Sequence, residues 1–129
     1  MKHVNSKPVI VALTGPAGCG KTTVAKGLER HGFARVRFAG PLKAMLRTLG
    51  LTEDQVDGDQ KETPCDLLCG KTPRAAMQAL GTEWGRDCVG ENLWVNAAMK
   101  QVDEYIALGV SVVIDDCRFD NEAEAVTRR

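Results

Sequence analysis

The chain has no surplus of either charge: 17 Lys and Arg against 17 Asp and Glu give a formal net charge of zero. A protein that grips a nucleic-acid polymer through its phosphates carries a basic surplus. The balance therefore argues against a general nucleic-acid binder, although local arginine clusters can still take up a small anion. No apolar run approaches the roughly 18 residues that a membrane-crossing helix needs. The opening "MKHVNSKP" is polar and too short ahead of the first apolar segment for a signal peptide. Histidine is scarce, and His3 and His31 lie far in sequence from the C-x-x-x-C pair Cys65 and Cys69, so no four-ligand zinc set suggests itself. The remaining cysteines are Cys19, Cys88 and Cys117; an odd total of 5 fits a reducing interior better than a disulfide framework. Repeats and low-complexity tracts are also missing. A hydrophobic share of 43% over 129 residues is enough for a core and makes one domain the expectation.

Against these absences stands a regular alternation of strand and helix signals. Residues 9–14 form a β-branched, continuous apolar run that reads as a buried strand. Lys21 to about His31 reads as a helix closed by Gly32. "ARVRFA", residues 34–39, alternates as a second strand. Pro41 suits the first turn of a helix carrying Leu42, Met45, Leu46 and Leu49, which Gly50 ends. Residues 51–71 are loop-like, with room for a short helix after Thr52. "TPRAAMQALG" reads as a helix with Thr72 as cap, Pro73 at the first position and Gly81 at the end. Residues 91–108 give a longer helix with Trp94, Ala98, Val102 and Ile106 in one row, stopped by Gly109. "VSVVID", residues 110–115, is the third strand, and Asp120 or Asn121 caps a last helix. Such alternation predicts an α/β layered fold with a parallel sheet, whose ligands collect at the carboxyl ends of the strands.

The motif that carries chemistry lies at the first of those ends. "GPAGCGKT" satisfies G-x-x-x-x-G-K-[ST] between a strand and a helix. Gly15, Gly18 and Gly20 let the backbone turn tightly and aim its N–H groups inward, which with the helix N-terminus makes an anion nest. Lys21 is then expected to reach the β- and γ-phosphates of ATP, Thr22 to ligate Mg²⁺, and Thr23 to complete the cofactor-binding set. At the third strand's end, Asp115 and Asp116 both qualify to hold Mg²⁺, usually through water. Adjacent strand residues point to opposite faces, so only one faces the ion, and the other fits a turn or cap. Arg118 is placed to clamp a phosphate bidentately; a surface ion pair with Asp120 or Glu122 is the alternative.

A kinase needs a second pocket, for the acceptor. "GKTPRAAMQALGTEWGRDCVGENLWV" looks like one. Arg74 and Gln78 share a helix face one turn apart, and Thr82, Glu83, Arg86 and Trp94 follow. Arg74 and Arg86 can neutralise a monophosphate, Gln78 can bond a base edge, and Trp94 can stack on a base, although it fits a core position as well. Lys43, after "FAGPL", is a further phosphate contact.

The combination of "GPAGCGKTT", "FAGPLK", "TPRAAMQALGTEWGR", "LWV" and "VVIDDCRFDNEAEAV" resembles the phage-type deoxynucleoside monophosphate kinases, within the nucleoside monophosphate kinase superfamily of phosphate-loop enzymes. The likeness covers nearly the whole chain, and its middle and third-strand segments are far more specific than the phosphate loop. It implies a three-layer phosphate-loop fold with a core at about 1–39 and 109–129 and a helical acceptor-binding insertion at about 40–108. It implies transfer of the γ-phosphoryl of ATP to a deoxynucleoside monophosphate, with ATP and Mg²⁺ as cofactors and Lys21, Asp115 and Arg118 as the catalytic set. A cytoplasmic setting follows, the host cytoplasm for a phage-encoded enzyme. The family continues past this length with an arginine-bearing lid and adenine-holding strands, whereas this chain reaches Arg129 one helix after the third strand. The fold is thus expected to be incomplete at the C-terminus, with an exposed sheet edge that favours self-association. Two other readings stay open: a non-catalytic nucleotide-binding fragment, and a phosphate-loop kinase for another small metabolite. A GTPase lacks support because no N-K-x-D segment is present.

Overall fold

The structure is a computed structural model, and it describes residues 7–15, 20–118 and 120–128. In chain order the elements are β1 (Ile10–Ala12), α1 (Lys21–Glu29), β2 (Ala34–Val36), α2 (Gly40–Leu49), α3 (Glu53–Val56) and a 3₁₀ turn at Asp66–Leu68. There follow α4 (Pro73–Gln78), which runs on as a π-helical segment at Ala79–Val89, then α5 (Leu93–Ala107), β3 (Val112–Ile114) and α6 (Asp120–Thr127). They divide into two compact units: Met1–Phe38 with Val95–Arg129, and Ala39–Trp94.

The first unit holds a parallel sheet of order β1-β3-β2, with Ile10 and Ala34 both level with Val112, and Ala12 and Val36 both level with Ile114. The ladder runs past the strand ends, for Val112 N donates to Val9 O (2.9 Å) and Leu13 N to Ile114 O (2.7 Å). Because β3 is the middle strand, it is covered on both faces, which is why its sequence is a continuous run rather than an alternation. Val112, Val113 and Ile114 are all fully buried. Val112 and Ile114 join Val36, Phe38, Cys117 and the α5 residues Val95, Ala98, Met99 and Val102 in one core. Val113 lies outside that cluster, on the opposite face by strand alternation; α1 runs against β2 and β3, with Ala25 fully buried. Residues 95–107, placed in the insertion by the sequence reading, pack in the core of the sheet unit.

The second unit is helical and has its own core of Leu46, Leu51 and Val56, with Cys65, Leu68, Ala76, Met77 and Leu80 packed around it. The short α3 is held by a reciprocal cap. Thr52 Oγ1 accepts from Gln55 N (3.3 Å) while Gln55 Oε1 accepts from Thr52 N (2.8 Å).

The expected stop at Gly81 does not occur. The helix widens after Gln78 and continues to Val89, and Gly90 N donates to Gly85 O, five residues back, at 2.9 Å. The glycines here serve close packing, not termination. A Cβ on Gly81 would stand 3.3 Å from Leu42 Cδ2, and one on Gly85 would stand 2.5 Å from Trp94 Nε1.

Candidate functional site

The carboxyl ends of all three strands open on one edge of the sheet, since Ala12, Val36 and Ile114 are level. From β1 the chain passes through Leu13 and Thr14 to Gly15, whose φ of 134° is open to glycine and strained for other residues. It re-enters helix at Gly20, left-handed at φ 92°, which precedes α1. Pro16, Ala17, Gly18 and Cys19 lie outside the described residues, and the expectation for Gly18 with them. Gly20 brings no side-chain cap, and no acidic residue stands in the first turn of α1, so nothing from this helix offsets the positive end of its dipole. Lys21, the first residue of the helix, turns back so that Nζ donates to Gly15 O at 2.6 Å. Thr22 and Thr23 are exposed beside it. A helix N-terminus, a lysine turned back to Gly15 and two hydroxyls are groups of the kind that suit an anion.

At the end of β3, Asp115 is only 6% exposed. Its carboxylate forms an ion pair with Arg35 of β2, and Arg37 Nε stands 3.7 Å from Oδ1. Strand alternation explains the grouping: Arg35 is level with Val113, so Arg35, Arg37 and Asp115 share that face. Asp115 Oδ1 and Arg35 Nε are nevertheless buried with no hydrogen-bond partner. Asp116 Oδ1 accepts from Phe38 N at 2.9 Å, tying the end of β3 to the end of β2. Asp115 therefore stands at the strand end already paired with arginine. The sequence reading passed over both arginines, although the i, i+2 spacing in "ARVRF" puts them on one face.

Arg118 is exposed, and its own N–H donates to Glu122 Oε1 at 2.8 Å, with Glu122 only 4% exposed. Glu122 thus anchors the backbone at Arg118 and leaves the guanidinium out of that contact. Between Asp116 and Arg118, burial pushes the Cys117 thiol up from its ordinary value, and the Glu122 and Asp116 carboxylates add to the effect. A raised thiol stays protonated at neutral pH and alkylates slowly. With iodoacetamide and peptide mass spectrometry, the exposed Cys69 and Cys88 are expected to label in the folded protein and Cys117 only after denaturation. Labelling of Cys117 at the pace of Cys69 would contradict this packing.

In the helical unit, Lys43 forms an ion pair with Asp57, and Arg47 bridges Glu53 and Asp57, with Nη2–Oδ2 of Asp57 at 3.2 Å. The Glu53 contact holds the Arg47 guanidinium above its ordinary value. Arg74 is exposed and paired with Glu62, Gln78 is exposed on the same helix, and Arg86 is half-buried. Trp94 is 8% exposed, its Nε1 donates to Gly81 O at 2.8 Å, and its ring covers Gly85. The ring is used in packing, the core position that the sequence also allowed. The exposed ring is Trp84, at 43%, with its centroid 6.2 Å from that of Trp94.

Among curated proteins, the chain is 37% identical over 136 residues to a protein of Acanthamoeba polyphaga mimivirus named "Putative deoxynucleotide monophosphate kinase", the match taking in 92% of this chain and 68% of that one. The chain belongs to the deoxynucleotide monophosphate kinase family. No family model matches it, and no solved structure matches it significantly. Both units carry cations among the described residues. Lys21, Arg35, Arg37 and Arg118 lie in the sheet unit; Lys43, Arg47, Arg74 and Arg86 lie in the helical unit. Among the described residues of this family member, no helix is long and apolar enough to cross a membrane.

Proposed function

We propose that this protein transfers the γ-phosphoryl of ATP to a deoxynucleoside monophosphate, giving the diphosphate and ADP, on a three-layer phosphate-loop scaffold of the phage type. The observation that carries the reading is Lys21 folded back onto the Gly15 carbonyl at 2.6 Å, at the start of a helix whose own first turn carries no acidic side chain. An amine that a neutral carbonyl holds, the one contact it makes among the described residues, is poised to exchange it for phosphate oxygens. The name of the mimivirus relative supports the acceptor class.

In the reaction an acceptor phosphate oxygen bonds to the γ-phosphorus as the bond from that phosphorus to the β–γ bridging oxygen breaks, and ADP leaves with the electron pair. The acceptor oxygen is already an anionic nucleophile, so the protein supplies position and charge more than a base. Lys21 and the first amides of α1 hold the donor's β- and γ-phosphates. Arg118 offsets the charge that builds on the transferring group. Arg74, Gln78 and Arg86 hold the acceptor, Arg74 giving up Glu62 to do so, and Lys43 adds charge if it leaves Asp57. The hard oxygens of Thr22, Asp115 and Asp116 suit Mg²⁺, and Oδ1 of Asp115, which has an arginine nearby but no hydrogen bond, could accept one from a metal-bound water. When bound, Mg²⁺ neutralises the donor phosphates; Arg35, already on Asp115, argues for contact through water.

An acceptor panel in a coupled ADP assay tests the reading. ADP release is expected to depend on one or more of dAMP, dCMP, dGMP and dTMP. ADP release that instead requires a non-nucleotide metabolite, or ATP binding with no turnover on any acceptor, would overturn it.

A further inference from the structure

Polar side chains recur at every fourth position through the middle of the helical unit: Arg74, Gln78, Thr82 and Arg86. On an α-helix, four residues advance about 400°, so each member drifts about 40° and Arg86 would end about 120° from Arg74. The winding changes after Gln78, where α4 gives way to the π-helical segment Ala79–Val89. Hydrogen bonds reaching five residues back widen the turn to about 4.4 residues, so four residues then fall about 32° short of a full circle. The drift reverses. Measured from Arg74, Gln78 stands at about +40°, Thr82 at about +8° and Arg86 at about −24°.

Burial checks this placement independently. Pro73 and Gly85 are buried, and Ala76, Met77 and Leu80 pack on the unit's core. On the mixed winding all five fall between about 200° and 300°, opposite the polar strip. Under unbroken α-winding Gly85 would sit at about 20°, among the arginines; it lies instead beneath the Trp94 ring.

We infer that the change of winding builds the acceptor-binding face, aligning Arg74, Gln78, Thr82 and Arg86 into one strip. Thr82 contacts the bound deoxynucleoside monophosphate there, and Trp94 with Gly85 are positioning residues that maintain the wide turns. The inference rests on the kinase reading above. The strip is about 15 Å long, which suits one nucleotide lying along it with an arginine reaching in from each end. Gln78 and Thr82 between them offer neutral hydrogen bonds to sugar or base. Two features hold the winding: the Trp94 indole N–H bonded to Gly81 O at 2.8 Å, and the missing Cβ at Gly85 that lets the ring close down.

Isothermal titration with dAMP, dCMP, dGMP and dTMP tests this, taking forward the one that the wild-type chain binds most tightly. Arg74→Ala and Arg86→Ala are each expected to weaken binding by about tenfold, and Thr82→Val by about threefold. The decisive arm repeats both arginine changes in Trp94→Phe, which keeps a ring but loses the donor, and in Gly85→Ala. Trp94→Phe is the milder variant, and far-UV circular dichroism and a thermal melt establish that each background is folded. There Arg74→Ala is expected to keep its effect, whereas Arg86→Ala changes affinity by less than about twofold, because Arg86 has rotated off the strip. A merely structural role for Trp94 and Gly85 would not erase one arginine's contribution and spare the other's. An undiminished Arg86→Ala effect in both folded backgrounds overturns the inference and leaves the kinase reading standing. Failure of the wild-type chain to bind any of the four overturns the kinase reading and this inference with it.

Discussion

Lys21→Ala is expected to lower kcat by about a thousandfold, equivalent to about 4 kcal/mol of transition-state stabilisation, while leaving the fold intact. In phosphoryl transfer the protein does little covalent work, so most of the rate comes from charges fixed where negative charge builds. Lys21 is the cation that opens α1, and its ammonium already lies 2.6 Å from Gly15 O. Alanine removes the charge at the point of need. The helix N-terminus remains and should still bind ATP, so the loss is expected in turnover more than in ATP affinity. Lys21→Arg should not restore the rate, since a planar, forked guanidinium cannot occupy the place of a compact ammonium. Because Lys21 is half exposed and makes one backbone contact among the described residues, the stability change should stay within about 0.5 kcal/mol. Steady-state kinetics beside a urea titration separate the two effects. A Lys21→Ala enzyme that keeps a tenth of wild-type kcat would remove this residue from the mechanism.

Asp115→Ala is expected to destabilise the fold by about 3–5 kcal/mol, the largest stability effect of any single change considered. The Asp115 side chain is 5% exposed and its partner Arg35 is 18% exposed. Deleting the carboxylate leaves the Arg35 guanidinium in a nearly dry site without the anion it is paired with. Arg35→Met should cost a similar amount, by stranding the carboxylate instead. The double variant Arg35→Met with Asp115→Leu should recover most of the loss, because removing both charges removes the desolvation cost as well. Urea midpoints with unchanged slopes would report this directly. A single-variant loss below about 1 kcal/mol would mean that the pair behaves as a solvated surface bridge.

What the sequence made legible follows from where each signal originates. The run Val112–Val113–Ile114 reads as strand because a central parallel strand is buried on both faces, and nothing distant is needed to interpret it. Gly15, Gly20 and Lys21 are legible for a similar reason: their spacing expresses a local backbone requirement. The middle segment was harder. Fourfold spacing of polar residues signals an α-helix that stops at a glycine, whereas the wide winding depends on Trp94 entering the gap at Gly85, a contact between residues 9 apart that no periodicity encodes. The same contact decides which tryptophan is exposed: Trp94, which fits core or platform by sequence, is packed, while Trp84 is open. Arg35 and Arg37 were visible as alternating strand residues, but their meaning required β2 and Asp115 to be neighbours, which the strand order supplies.

The most direct measurement is the fate of the terminal phosphate of ATP labelled at the γ-position, followed in the presence of each deoxynucleoside monophosphate. The account holds that the label moves into a deoxynucleoside diphosphate, with inorganic phosphate a minor product and transfer by Lys21→Ala slowed about a thousandfold. Label recovered chiefly as inorganic phosphate, at a rate indifferent to the nucleotide offered, would show that water is the acceptor and would contradict the kinase assignment.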